Sequence, residues 1–191
     1  YDKILYLDCD LIVEGDISKL YDIELGNCEV AAVRSEDFRL LSKTKSPIFL
    51  EGYPYNVDNY RTEALGMQVP ENYFNAGVLV IDLKKTRQRI NQEQVFEILH
   101  RHNYKYNDQD VLNILFDGRV KVMDCRWNYM TYIPEQIAKE NVNNRKLYED
   151  LYREKPCIIH YTSAEKPWNT ETKVLGDRYW KYRNEMEAIY A

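Results

Sequence analysis

Short apolar runs alternate along this chain with charged stretches that repeat at helical spacing. Residues 2–7 read as a buried strand that delivers Asp8 into a loop. Residues 16–22 predict a short helix and residues 29–34 (Glu-Val-Ala-Ala-Val-Arg) a second strand. Phe-Asn-Ala-Gly-Val-Leu-Val-Ile at 74–81 predicts another buried strand. A charged helix over 83–102 follows, with Val95, Phe96, Ile98 and Leu99 as its apolar positions. Asp108 is read as the N-cap of a helix running to Phe116, and Gly118 as its end. Val120–Met123 and Cys157–His160 read as short strands, and 172–190 as a charged, aromatic-rich helix. Residues 45–72, richer in Pro, Gly, Asn and Tyr, predict a long irregular segment of the kind that forms lids and binding loops. Strands and helices in alternation predict an α/β fold with flanking helices and a mixed, mainly parallel sheet.

The totals narrow the function classes. With 191 residues, 45% of them hydrophobic and 30% charged, the chain is long enough for one domain with a real core. A net charge of −5 argues against nucleic acid as a partner, because such binders carry a basic face. It also limits any membrane contact to a peripheral one, and no apolar run is long enough to span a bilayer. Cys9, Cys28, Cys125 and Cys157 have neither zinc-ribbon nor redox-pair spacing. They read as reduced thiols, with a cytoplasmic location. The 17 tyrosines read as half-buried core-edge residues, ahead of sugar platforms.

Candidate chemistry begins at Ile4-Leu5-Tyr6-Leu7-Asp8-Cys9-Asp10. Residues i and i+2 of a strand share a side, so Asp8 and Asp10 converge at the strand end. Converging carboxylates repel unless a cation sits between them, and a divalent metal is the simplest one. A strand-end acid followed by a helix cap is the competing reading of this pair alone. Further along, His160 stands at a strand end with Lys166 six residues later. An imidazole nitrogen suits a Mn²⁺-like ion, and a lysine neutralises phosphate as a point charge. A lone histidine on an apolar strand is more often a satisfied core residue. Asp8, Asp10, Asn75, Asp108, Gln109 and His160 fall mostly at the inferred C-terminal ends of strands, where open α/β sheets bind ligands.

Four segments carry a resemblance to the family 8 glycosyltransferases, the group that includes glycogenin and the lipopolysaccharide galactosyl- and glucosyltransferases. They are Tyr6-Leu7-Asp8-Cys9-Asp10, Tyr73-Phe74-Asn75-Ala76-Gly77-Val78, Asn107-Asp108-Gln109-Asp110-Val111-Leu112-Asn113, and His160-Tyr161 through Lys166-Pro167-Trp168. The resemblance implies a Rossmann-like fold of the GT-A type, a UDP-sugar donor (UDP-glucose or UDP-galactose) and a Mn²⁺ or Mg²⁺ ion. It implies that Asp8, Asp10 and His160 hold the metal and that Lys166 supports the diphosphate. Asn75, Ala76 and Gly77 would line the donor-sugar pocket, with simple strand packing as the competing reading of Gly77. Asp108 and Gln109 would face the anomeric carbon in a reaction that retains configuration. Retention needs either a covalent intermediate or same-face attack within an ion pair. An amide at Gln109 favours the ion pair. Asp110 is the nearest other carboxylate, and its first reading is an acid complementing the helix dipole. Glu36 or Asp37 would meet donor-sugar hydroxyls, with Glu36 taken as the candidate. Trp168 reads as packing on the Lys-Pro turn. The acceptor implied is a saccharide or glycolipid of bacterial surface glycan or lipopolysaccharide synthesis.

Two departures from the family pattern follow. Many members have glycine where this chain has Ser163, whose amide can meet a phosphate only if its backbone angles suit. Members also carry strands and helices before the double-aspartate strand, whereas here that strand starts beside Tyr1. The expectation is therefore that residues 1–191 are the C-terminal part of a single catalytic domain whose nucleoside-binding part lies outside this chain. Two alternatives remain. A haloacid-dehalogenase-type phosphatase also begins on a strand and Asp-Xaa-Asp, but Ile12 stands where that motif has Thr. A sugar-binding relative without catalysis is the other.

Overall fold

The computed structural model describes residues 1–38, 47–132, 154–170 and 174–190. It divides into two compact units, Tyr1–Leu7 with Ser18–Met123, and Asp8–Ile17 with Asp124–Ala191. In chain order the strands and helices are β1 (Lys3–Leu7), β2 (Leu11–Val13), α1 (Ile17–Tyr21), β3 (Val30–Arg34), β4 (Ile48–Leu50), β5 (Tyr53–Tyr55) and α2 (Val57–Asn59). They continue with β6 (Phe74–Asp82), α3 (Leu83–Arg89), α4 (Gln92–Leu99), α5 (Asn107–Leu115), β7 (Val120–Val122), β8 (Tyr129–Met130), β9 (Ile158–His160) and α6 (Gly176–Tyr190).

The first unit is built on a four-stranded sheet in the order β1-β6-β3-β7. Strand β6 is antiparallel to both β1 and β3, and only β3 and β7 pair in parallel. The expected mainly parallel sheet is thus corrected. Strands β1, β3 and β7 do run the same way, but β6 is inserted in reverse between β1 and β3. Element alternation predicts parallel neighbours only when each connection is a helical crossover. Here the link from β3 to β6 contains a hairpin and short helical turns. The core lies where β3 and β6 meet the helices, with Val30, Ala32, Phe74, Leu79 and Phe116 buried together. Strand β3 is buried, as its unbroken apolar run predicts, whereas β1, at one end of this order among the described residues, is half-buried.

Much of the segment read as irregular is ordered. Residues 39–46 lie outside the described residues. Beyond them, β4 and β5 form a hairpin closed by Glu51-Gly52, both at positive φ (51° and 84°). Two consecutive positive φ angles make the turn whose twist matches a hairpin. Helix α2 then widens into a turn over Tyr60–Ala64, where Leu65 N donates to Tyr60 O at 3.0 Å. Aromatic burial explains this order: Phe38, Tyr60 and Tyr73 are buried with Ile48, Leu50 and Val57 in a second core cluster. The single helix expected over 83–102 is two helices. Asn91 starts α4 with reciprocal side-chain and backbone bonds to Gln94, which the apolar periodicity alone does not register. Helix α5 starts at Asn107 rather than behind an Asp108 cap.

The second unit holds a three-stranded sheet in the order β2-β9-β8. β2 pairs antiparallel with β9, placing Leu11 opposite His160, and β8 runs parallel to β9 with Met130 opposite His160. Strands β2 and β8 are too short for a sequence pattern to declare. Glu14 N and Gly15 N both donate to Cys157 O, at 2.9 and 2.8 Å. A Cβ on Gly15 would lie 2.7 Å from Cys157 Cβ, so only glycine admits this approach. Helix α6 is anchored by Tyr161, whose hydroxyl donates to Leu175 O at 2.7 Å, and by Trp180, whose indole N–H donates to Pro167 O at 3.1 Å. Trp180 therefore holds the Lys-Pro turn, while Trp168 packs on Tyr179 with ring centroids 5.2 Å apart. All four cysteines are free.

Candidate active site

The second unit gathers the expected metal ligands. Tyr161 N donates to Asp10 O at 3.1 Å, extending the β2–β9 ladder by one pair and setting Asp10 beside His160. His160 Nε2 lies 3.3 Å from Asp10 Oδ1 and 3.6 Å from Asp8 Oδ2. One ligand atom from each of Asp8, Asp10 and His160 falls within 4.8 Å of the others. His160 is 3% exposed, and its Nδ1 meets Asn128 Oδ1 at 2.8 Å. A carbonyl oxygen only accepts, so Nδ1 carries a proton toward Asn128 and Nε2 is the nitrogen turned to the carboxylates. Two hard carboxylates and one imidazole nitrogen fit a Mn²⁺- or Mg²⁺-class ion. Sequence reading missed Asn128, which is fully buried beside β8. No signal marks an asparagine as a histidine's partner before the fold brings the two together.

Lys166 joins the same group. Its ammonium contacts Asp10 Oδ2 and donates to Tyr161 O at 2.5 Å. Burial acts to raise the Asp10 carboxyl. The hydrogen bonds and charges of His160 and Lys166 outweigh that and hold it well below the usual carboxylate range. Between Tyr161 and Lys166 the backbone turns through Ser163 at φ 81°, in the left-handed region that favours glycine. The serine thus keeps a glycine-type backbone in spite of its side chain.

The first unit gathers a different set. Gln109 Oε1 accepts from Asn75 Nδ2 at 3.0 Å and from Ala76 N at 3.2 Å. Its Nε2 donates to the Tyr73 hydroxyl at 3.1 Å. Gly77 N donates to Asn75 Oδ1 at 3.0 Å. These contacts join the amino end of β6 to the first turn of α5. Asn113 strengthens the joint, accepting from Phe74 N and donating to Phe74 O, each at 2.8 Å. Among the described residues, Asp108 is exposed and takes no part in this hydrogen-bonded set. Glu36 is buried just after β3, and Asp37 is held by a short hydrogen bond from Ser35. Burial pushes the Asp37 carboxyl up.

Asp110 departs most from its expected role. It lies in the first turn of α5, but it is fully buried and is not a solvent-facing partner of the helix dipole. It accepts the Tyr73 and Tyr60 hydroxyls, each at 2.6 Å, and Tyr106 N at 2.9 Å. Burial pushes its carboxyl up, against the lowering effect of these donors. Tyr60 and Tyr73 are likewise pushed up by burial and by the neighbouring carboxylate.

Residues 1–172 match the family model for glycosyl transferase family 8. The chain belongs to glycosyl transferase family 8. Family membership sets aside the phosphatase alternative. The chain is 31% identical over 185 residues to the lipopolysaccharide 1,2-glucosyltransferase of Escherichia coli, covering 94% of this chain and 48% of that protein. It is 30% identical over 186 residues to general stress protein A of Bacillus subtilis, covering 94% and 58%. Among solved structures, the bifunctional glycosyltransferase WbbM superposes with TM-score 0.79 at 29% identity, covering 93% of this chain and 31% of that one. Galactosyltransferase LgtC, solved with donor and acceptor sugar analogues, superposes with TM-score 0.69 at 30% identity, covering 95% and 60%. The chain thus spans about half the length of the curated relatives it matches. No helix among the described residues is long and apolar enough to cross a membrane.

Proposed function

We propose that this chain carries the donor-handling machinery of a retaining, divalent-metal-dependent hexosyltransferase. The donor is a nucleotide-sugar, UDP-glucose or UDP-galactose, and the acceptor a saccharide or glycolipid of bacterial surface glycan synthesis. The Asp8–Asp10–His160 cluster carries the reading, because two carboxylates and an oriented imidazole nitrogen within 4.8 Å form a donor set for such an ion. A divalent cation held there would supply Lewis-acid stabilisation of the charge on the departing diphosphate. Lys166 would neutralise a phosphate oxygen, and the Ser163 backbone, in its glycine-type conformation, would present its amide to the same group. Asn75, Ala76 and Gly77 would line the donor-sugar pocket, Asp108 and Gln109 would face the sugar's anomeric carbon, and Glu36 would reach its hydroxyls. Similarity to the Escherichia coli lipopolysaccharide 1,2-glucosyltransferase supports the acceptor class.

Hydrogen bonding favours the ion-pair route to retention. Gln109 Oε1 already accepts two hydrogen bonds, and both carboxylate oxygens of Asp110 are engaged inside the core. Neither is a free nucleophile. The test is metal-dependent release of UDP by the full-length protein across a panel of UDP-hexoses. Turnover with at least one is expected, lost in Asp8→Ala and Asp10→Ala. Absence of both turnover and Mn²⁺-dependent UDP binding sinks the reading, and UDP-sugar binding without turnover points to the non-catalytic relative.

A further inference from the structure

Asp110 is the buried centre of a hydrogen-bonded chain for which the transfer reading has no use. Its Oδ1 accepts the Tyr73 hydroxyl at 2.6 Å, while Oδ2 accepts the Tyr60 hydroxyl at 2.6 Å and Tyr106 N at 2.9 Å. An ionised carboxylate only accepts. The single hydroxyl proton of Tyr73 is therefore committed to Asp110, and the Tyr73 oxygen is left able only to accept. It accepts from Gln109 Nε2 at 3.1 Å. At the other end of the same amide, Oε1 meets Ala76 N at 3.2 Å, a backbone group that only donates. The Gln109 amide is thus bracketed by an obligate acceptor and an obligate donor. One of its two orientations satisfies both and the flipped one satisfies neither. The neighbouring amide is matched to it. Asn75 Oδ1 is held by Gly77 N at 3.0 Å, so its Nδ2 is the end that turns to Gln109.

We propose that Asp110 and Tyr73 are positioning residues for the transfer step, fixing the direction of the Gln109 amide so that its Oε1 receives Asn75 Nδ2. This rests on the reading that Gln109 and Asn75 face the donor sugar. A carboxamide dipole reverses when the amide flips, so the protein would meet charge developing on the sugar with the opposite pole. A dipole preset by the core needs no reorganisation when the substrate arrives.

The test is run on the full-length protein with whichever UDP-hexose it turns over. Tyr73→Phe removes one hydroxyl and keeps the ring in the core. Its kcat should fall about 10- to 100-fold, the scale of a misplaced catalytic group. KM for the donor and Mn²⁺-dependent UDP binding should change by less than about 2-fold. Adding Tyr73→Phe to Gln109→Ala should cause no further loss. Tyr60→Phe takes a hydroxyl from the same carboxylate without touching Gln109. It should lower thermal stability to a similar extent with a much smaller fall in kcat. An undiminished kcat in Tyr73→Phe, an equal loss in Tyr60→Phe, or a full further loss in the Gln109→Ala background each overturns the proposal. If no UDP-hexose is turned over, the transfer reading fails, and the orientation is read by NMR instead. The two side-chain amide protons of Gln109 should be well separated in the native protein and collapse toward solvent values in Tyr73→Phe and Asp110→Asn. Retention of the native separation in both overturns it. Asp110→Asn stands in for the kinetic test should Tyr73→Phe not fold.

Discussion

The ammonium of Lys166 lies against Oδ2 of Asp10, so one oxygen of the candidate metal cluster is already paired with a cation of the chain itself. Both side chains are less than one-fifth exposed, which limits solvent screening of the pair. In the absence of nucleotide the ammonium therefore competes with a divalent ion for Asp10. Lys166→Met should bind Mn²⁺ alone about 10-fold more tightly, a free-energy change on the scale of one partly buried charge contact. Titration calorimetry without nucleotide checks this; equal affinity in both proteins would show that the pair does not oppose the metal. The same variant should bind UDP more weakly in saturating Mn²⁺.

Asn128 sets which nitrogen of His160 faces the carboxylates. Asn128→Ala leaves Nδ1 without its acceptor and the ring without its orientation. Metal affinity should fall about 10- to 100-fold with the circular dichroism spectrum unchanged. Manganese binding followed by electron paramagnetic resonance provides the measurement, and an unchanged dissociation constant would remove Asn128 from the site.

Gly15 is required by contact with Cys157. Gly15→Ala places a methyl 2.7 Å from Cys157 Cβ, and β2 must move off β9 to relieve it. A loss of about 1–3 kcal/mol in unfolding free energy is expected, together with weaker Mn²⁺ binding, because Asp10 immediately precedes β2 and pairs with Tyr161. Cys157→Ala should not rescue the variant, since the clash is with Cβ rather than the sulfur. Rescue by that second change would refute the contact.

At Ser163 the backbone is left-handed and the side chain is exposed. Ser163→Gly should raise stability by about 1 kcal/mol, and Ser163→Val should lower it by at least as much. Thermal unfolding of the two variants decides it. A Ser163→Gly protein less stable than the native one would mean that the serine side chain contributes more than the backbone strain costs.

Asp110 predicts a pH dependence of stability. Its folded carboxyl is raised above the ordinary value by burial. The folded state therefore holds its proton more tightly than the unfolded state does, and stability falls as pH rises from the unfolded value through the folded one. Asp110→Asn should lack this contribution. Urea unfolding of both proteins across the acidic range should show the native protein's advantage over the variant shrinking as pH rises. A constant difference would assign the carboxyl an ordinary affinity for its proton.

The parts of the site legible in the sequence are those where one residue type at one spacing has few other uses. Asp8 and Asp10 stand out as two carboxylates just past an apolar strand, and His160 stands at the end of an apolar run. Asp110 misleads in sequence because an acid in the first turn of a helix has an ordinary explanation. Its burial depends on Tyr60 and Tyr73, which lie 50 and 37 positions away. The single helix expected over 83–102 fails for a related reason: apolar spacing carries across Asn91, and only the backbone bond from Gln94 shows a new start.

The sequence by itself determined the family, the existence and place of the buried strands β3, β6 and β9, and which three residues gather as the candidate metal cluster. Each of these depends on local patterning or on a short motif. Tertiary structure alone decided the reversed direction of β6, the partner that orients His160, and the hydrogen-bond order that runs from Asp110 to Gln109. These depend on which distant groups meet in the core. Direction in a polar chain belongs to no single residue, because it is set by the obligate donor at one end and the obligate acceptor at the other.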